Sequence, residues 1–220
     1  MNKKVASVLK KSVLLLCIIS IIASLLSLFF YKYRVDPVQL QSKFFTSYNE
    51  LSDAYKFMKN KNVDFESIEN PISFYKQFAG FFQLESLCTD FSEPCLWNNF
   101  TYKTLDGDIR PVYYGRPNIG QFITRNGALI MLYKEDNSLR IFIDTNGINR
   151  KPNRFGLDLF AFYIKDNSSG LKAMGENNTP YKNLSLFCNP NISNKYNGMS
   201  CAFKAIYDNN FFENTIKILY

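Results

Sequence analysis

Apolar side chains fall along this chain in three regimes, and each predicts a different element. From Ser12 to Tyr31 the run SVLLLCIISIIASLLSLFFY holds twenty residues without a charge. A helix rising about 1.5 Å per residue would span about 30 Å over that length, the hydrocarbon thickness of a bilayer. The expectation is a transmembrane helix over 12–34 behind a basic leader over 1–11. The alternative is a cleaved secretory signal. The run exceeds the usual signal length of about 7–15 apolar residues, and it ends on Phe29-Phe30-Tyr31, which suits an interfacial anchor.

The second regime has helical period. Asp36-Pro37 supplies an N-cap and a first-turn proline. Leu40, Phe44, Tyr48, Leu51, Tyr55 and Met58 then recur at spacings of 4, 4, 3, 4 and 3. That is one face of an amphipathic helix over 37–59. It could continue the membrane helix as one rod kinked at Pro37, where a hydrogen bond is lost. The stripe reads as a core face against a sheet, with a partner-binding stripe as the alternative.

The third regime has the period of strands. Residues 60–118 read as a variable, irregular region carrying Pro71, Asp106-Gly107-Asp108 and Gly115-Arg116-Pro117-Asn118. From Gln121 onward QFIT, ALIMLYK, LRIFID and LDLFAFYIK follow one another. Asn126-Gly127 between the first two is a strong hairpin signal. Successive strands with short turns predict an antiparallel meander over 119–165. Residues 166–220 read as loop-like, rich in Asn and Ser, closing on an apolar element at 215–220. The fold class predicted is α+β, a long N-terminal helix packed on an antiparallel sheet.

Charge changes the picture only at one end. The formal net charge is +7, but Lys3, Lys4, Lys10, Lys11, Lys32 and Arg34 all precede the first acid, Asp36. The remaining cations nearly balance the acids, so the excess signals topology and leaves no nucleic-acid footprint. Lysines ahead of the apolar run keep the N-terminus cytoplasmic and place an exported domain over 35–220.

Of five cysteines, Cys17 lies in the apolar run and reads as a packing residue. The other four allow three connectivities. Short loops close most easily, which favours Cys88–Cys95 and Cys188–Cys201 in an oxidising compartment. Trp97 is expected to pack on the first bridge. Neither spacing suits zinc, and the chain has no histidine.

Candidate chemistry gathers after the third strand. Asp144, Asn146, Asn153 and Asp158 offer oxygens to calcium, yet Ile148 interrupts the pattern and no glutamate closes a twelve-residue ring. Asx turn chemistry is the plainer reading. Arg150, Lys151 and Arg154 could meet an acidic surface or form a solvated face. Asn99, Asn167, Asn177, Asn183 and Asn191 each begin an Asn-x-Ser/Thr triplet, which would suit a eukaryotic secreted glycoprotein but also arises by chance in a chain so rich in Asn, Lys and Ser. Asp106 and Asp108 flank a glycine turn, which explains them without a glycosidase. No nucleophile elbow, phosphate loop or dinucleotide fingerprint occurs, so no enzyme is expected.

The segment IFIDTNGINRKPNRFGLDLFAFYI (141–164) resembles the Asp-x-Asn-Gly, Pro-Asn, Gly-x-Asp-x-Phe stretch of type IV pilins and type II secretion pseudopilins. The hairpin NGALIMLYKEDNSLRIFID before it and the ending Cys188 to Cys201-Ala-Phe-Lys-Ala-Ile fit the same family, as does the helix VQLQSKFFTSYNELSDAYKFMK. The motif positions are Asp144, Asn146, Gly147, Pro152, Asn153, Gly156, Asp158 and Phe160. The border Lys10-Lys11-Ser12-Val13-Leu14-Leu15 departs from the family. It lacks the glycine of the prepilin processing site and the glutamate that sets subunit register. The resemblance implies a structural subunit of a pilus or secretion filament at a bacterial inner membrane, active in assembly, adhesion, secretion or DNA uptake. Its partners would be membrane lipid, homologous subunits and assembly-platform proteins, with no small-molecule substrate or cofactor beyond calcium. The alternative is a membrane-anchored extracytoplasmic binding module that forms no filament.

Overall fold

The structure, a computed structural model, describes residues 13, 15–24, 35–63, 71–88, 102–108, 117–135, 138–166 and 169–220. The chain divides into two units, Met1–Asp36 and Pro37–Tyr220. In the first unit a helix, α1, covers residues 15–24 and exposes Leu15, Leu16, Ile19 and Ile22. Its serines bond back along the helix, Ser20 Oγ to Cys17 O and Ser24 Oγ to Ser20 O, each at 2.8 Å.

These facts correct three expectations. Among the described residues no helix is long and apolar enough to cross a membrane. At about 1.5 Å per residue the described stretch 15–24 covers about 15 Å, half a bilayer core. The transmembrane helix over 12–34 and the single-pass inner-membrane location built on it are therefore withdrawn. The long N-terminal helix is withdrawn too. Val35 and Asp36 are not helical, and the next helix, α2, begins at Pro37 and runs to Asn60. A proline pushes the residue before it out of helical geometry while fitting the first helical position itself, so Asp36-Pro37 starts a separate helix.

In the second unit α2 buries Leu40, Phe44, Ser47, Leu51, Ala54 and Met58. The face is rotated slightly from the expected one. Ser47 and Ala54 face inward, while Tyr48 and Tyr55 are half-buried. Small side chains at two inward positions let the helix approach its support closely, and Tyr48 stacks beside it on Phe162 (centroids 5.7 Å).

That support is one six-stranded antiparallel sheet in sequential order: β1 (Leu84–Cys88), β2 (Gly120–Thr124), β3 (Leu129–Glu135), β4 (Ser138–Asp144), β5 (Leu159–Ile164) and β6 (Lys172–Ala173). A second helix, α3 (Pro71–Ala79), precedes it. The Tyr75 hydroxyl on α3 donates to Gln121 O (2.5 Å) and accepts from Cys88 N (3.0 Å), tying α3 to β1 and β2. Three helices follow the sheet: α4 (Leu184–Phe187), α5 (Cys201–Tyr207) and α6 (Phe211–Leu219).

Both sheet faces are covered, which explains why the central strands read as continuous apolar runs. Register pairs Ile130, Ile143 and Phe160 across one face, and Leu132, Ile141 and Phe162 beside them. Phe44 of α2 and Phe212 of α6 meet Phe160 there, at 4.4 and 6.0 Å between centroids. The opposite face carries Leu129, Met131, Phe142, Leu159 and Ala161. These pack with Tyr102, Ile148, Phe155, Met174 and Met199. So the region expected to be a loop-like tail encloses the second face of the core.

Candidate functional site

Asp144 closes β4 and Asp158 immediately precedes β5, so the two acids bracket the loop that joins these strands. Thr145 N donates to Asp158 O at 2.8 Å and holds the loop's two ends together. Both carboxyls are fully buried. Asp144 Oδ1 accepts from Asn146 N (3.3 Å) and Gly147 N (3.0 Å), and Oδ2 accepts from the Tyr102 hydroxyl (2.8 Å). Asp158 Oδ2 accepts from Asn153 N (2.7 Å) and Oδ1 from Arg154 N (2.6 Å). Asn146 Nδ2 donates to Lys151 O (3.2 Å), and Asn153 Nδ2 to Ile148 O (3.0 Å). The loop's polar side chains are thus spent mainly on its own backbone, the chemistry of Asx turns. Asn153 holds φ +51 and the Lys151-Pro152 bond is cis.

Tyr102 was not expected at the site, and nothing in its local sequence marks it. It arrives because residues 102–105 run beside the loop: Lys103 N donates to Asn153 O and Phe155 N to Lys103 O, both at 2.9 Å. Gly156 sits where an added Cβ would lie 2.7 Å from Cys201 Sγ, so the motif glycine makes room for the bridge. Phe160 is a core residue beneath α2. The eight motif residues therefore come together as one folded loop and its strand.

Burial raises the Asp144 carboxyl well above the usual carboxylate range, and the neighbouring Asp158 charge adds to this. Burial likewise pushes Asp158 up to about 7, against the opposing bonds from Arg154, Asn153 and Asn146. Burial and the Asp144 charge raise the Tyr102 hydroxyl in turn. An unfolded aspartate titrates near 3.9. The folded chain therefore binds more protons between roughly that pH and about 7. The associated stability is complete below the unfolded value and is lost as pH rises through the folded one. The urea midpoint is expected to be higher at about pH 5 than at about pH 8, by more than ~1 kcal/mol in unfolding free energy. Asp158→Asn should flatten that slope. A slope unchanged in the variant would remove the acid pair as its origin.

Four oxygen-bearing side chains in one loop invite the calcium reading, but the fit is poor. Among the described residues no group of three or more acids, histidines or cysteines is placed to hold a metal. All four carboxylate oxygens already accept hydrogen bonds. The buried Oδ1 atoms of Asn146 and Asn153 lack a partner, and two neutral oxygens fall short of the six to eight that calcium takes. Millimolar calcium is expected to leave the melting temperature where a chelator leaves it. A calcium-dependent rise would overturn this reading.

The other candidates separate. Asp106-Gly107-Asp108 forms a turn in which Gly107 N donates to Thr104 O (2.9 Å) and Thr104 N to Asp108 O (3.2 Å). Arg150 and Lys151 are exposed, whereas Arg154 is half-buried with its guanidinium 5.6 Å from the Tyr220 ring centroid. The three cations thus differ in their surroundings. Cys188 and Cys201 are bridged, and Cys88 takes part in a disulfide. Cys95, Trp97, Asn99 and Asn167 lie outside the described residues. Asn183 caps α4, accepting from Leu186 N (3.3 Å), while Asn177 and Asn191 are exposed in turns.

Two glycine turns meet at one end of the sheet. Gly147 adopts φ +80, and a Cβ there would fall 2.6 Å from Gly127 O. Gly147→Ala is expected to cost about 1–3 kcal/mol in a urea melt through backbone strain and this contact. A loss below ~0.5 kcal/mol would show that the two turns move apart readily.

The chain was compared with family models, with curated proteins and with solved structures. None matches. The motif from Asp144 to Phe160 is accordingly read from its geometry alone, and that geometry is a loop whose two carboxylates are spent on backbone N–H groups and a tyrosine.

Proposed function

We propose that the unit Pro37–Tyr220 serves as a non-catalytic structural subunit of the pilin-like or pseudopilin-like kind, assembling with homologous subunits. The observation that carries this reading is α2 laid along a sequential antiparallel meander whose far face is closed by the region bridged through Cys188–Cys201. The acid pair supports it from the chemical side. Asp144 and Asp158 are engaged by backbone N–H groups and a tyrosine in the interior, where a substrate has no access.

The test is assembly in cells that produce the chain. Sheared material is fractionated by size and probed for the chain, and pairs of cysteines introduced on exposed positions of α2 are tested for cross-linking between copies. Chain recovered in fibres, with cross-links at a defined pair of positions, is the expected result. Chain recovered only as dispersed monomer, with no preferred cross-link, would overturn the proposal.

A second reading is favoured by one specific observation in the sequence. The border at Lys11-Ser12 lacks the glycine and the glutamate on which processing and register depend in the resembling family. On that reading the unit is a binding module that never polymerises, and the monomeric outcome above selects it.

A further inference from the structure

We propose that the cleft between the Asn126-Gly127 and Asn146-Gly147 turns binds an oxyanion of the carboxylate or phosphate type. Three cations from three segments line it: Lys43 of α2, Arg125 in the turn just after β2, and Arg150 of the loop after β4. Ile123 and Ile148 line it beside them, and Glu85 is the one acid. Glu85 is exposed, and among the described residues no salt bridge joins it to Arg125 or Arg150.

The arrangement is built rather than incidental. Lys43 Nζ donates to Asn126 O at 3.1 Å, which fixes an ammonium on the cleft's rim. Asn126 is itself held from the other side, its Nδ2 donating to Glu50 Oε2 at 2.8 Å. The neighbouring acids Glu50 and Asp53 line an adjoining cleft, which shares Arg125 and Asn126 with this one. A Cβ added to Gly147 would fall 2.6 Å from Gly127 O, so the two turns that carry Arg125 and Arg150 lie against each other. Guanidinium groups without a carboxylate partner match planar or tetrahedral oxyanions through paired N–H donors. Such a group could come free in solution or on an acidic segment of polypeptide, and the chemistry is the same.

The full chain, labelled with nitrogen-15, is titrated at low salt with inorganic phosphate in one arm and a hexaglutamate peptide in the other. Saturable shifts of the Gly127 and Gly147 amides are expected in at least one arm. Phosphate binding marks a free oxyanion and peptide-only binding marks a polypeptide-borne one. Arg150→Gln, which changes only an exposed loop side chain, should weaken binding at least fivefold, and Glu85→Gln should strengthen it. Lys217→Gln, which removes a cation on α6, should leave affinity within twofold. No saturable shift in either arm would overturn the proposal. So would affinity equally insensitive to Arg150→Gln and Lys217→Gln, which would mark diffuse charge attraction.

Discussion

Replacing Phe44 by alanine is expected to lower the unfolding free energy by about 3–5 kcal/mol, the usual cost of removing a large ring from a closed core. Phe44 is 1% exposed and stands where three elements meet. Its ring lies 4.4 Å from Phe160 of β5, 5.8 Å from Phe212 of α6 and 6.1 Å from Tyr48 one turn along α2. Truncation leaves a void between two helices and a sheet that the strands cannot close, because β4 and β5 are fixed by their own ladder. Urea unfolding followed by circular dichroism measures the loss. Phe57→Ala on the same helix supplies the contrast: Phe57 is 58% exposed, and a change within about ±0.5 kcal/mol is expected there. Equal losses at the two positions would mean that α2 does not use this face.

Removing the bridge between Cys188 and Cys201 is expected to cost about 3 kcal/mol, the constraint lost when a loop of this size opens in the unfolded chain. The bridge closes a sequence separation of 13 residues. Both cysteines are buried, so reductant should act on the native protein only as the region opens. Inside the ring Asn197 is fully buried and bonds three ways: Nδ2 donates to Asn189 O (2.7 Å) and Ile192 O (2.6 Å), and Oδ1 accepts from Asn189 N (3.1 Å). Its carbonyl accepts from Leu105 N (3.0 Å). Cys188→Ala with Cys201→Ala should therefore lower the urea midpoint and loosen the packing of Met199 on the second face. A midpoint unchanged by the double substitution would show that the asparagine bonds alone hold the region.

What the sequence disclosed follows from how local each signal is. Asn126-Gly127 marked its hairpin: three residues, Arg125 to Gly127, join Thr124 to Ala128, and the last of them needs the positive φ that Gly127 adopts, +84. The helix from Pro37 was legible through its cap and period, and the second cysteine pair through its short loop. The acid and amide positions around Asn146 came together as their turn-forming types suggested. Tyr102 was invisible because its partner Asp144 lies 42 residues away and no periodicity links them. The strand Leu84–Cys88 is short and half-buried, so its five residues carry too little pattern to stand apart from a loop. The helix Cys201–Tyr207 is too short to show a period against its Asn-rich surroundings, and of the helix Phe211–Leu219 only the end is legible, as an apolar element at 215–220. Their inward residues, Ala202, Ala205, Phe211 and Phe212, acquire meaning only from the sheet they cover. The expectation drawn from the apolar run is the one corrected: among the described residues no helix is long and apolar enough to cross a membrane.

The meeting of α2 and α6 sets an order of events during synthesis. Gln41 Nε2 reaches Asn209 O across a separation of 168 residues at 3.5 Å, and Phe212 completes the greasy seam around Phe44. A ribosome that has translated the whole meander, but has not yet released Phe211 and Phe212, holds a chain with its strands available and that seam still open to water. Until those residues emerge the nascent chain is a natural client for a holding chaperone, and a stop codon placed just before Phe211 should yield a product that such chaperones retain.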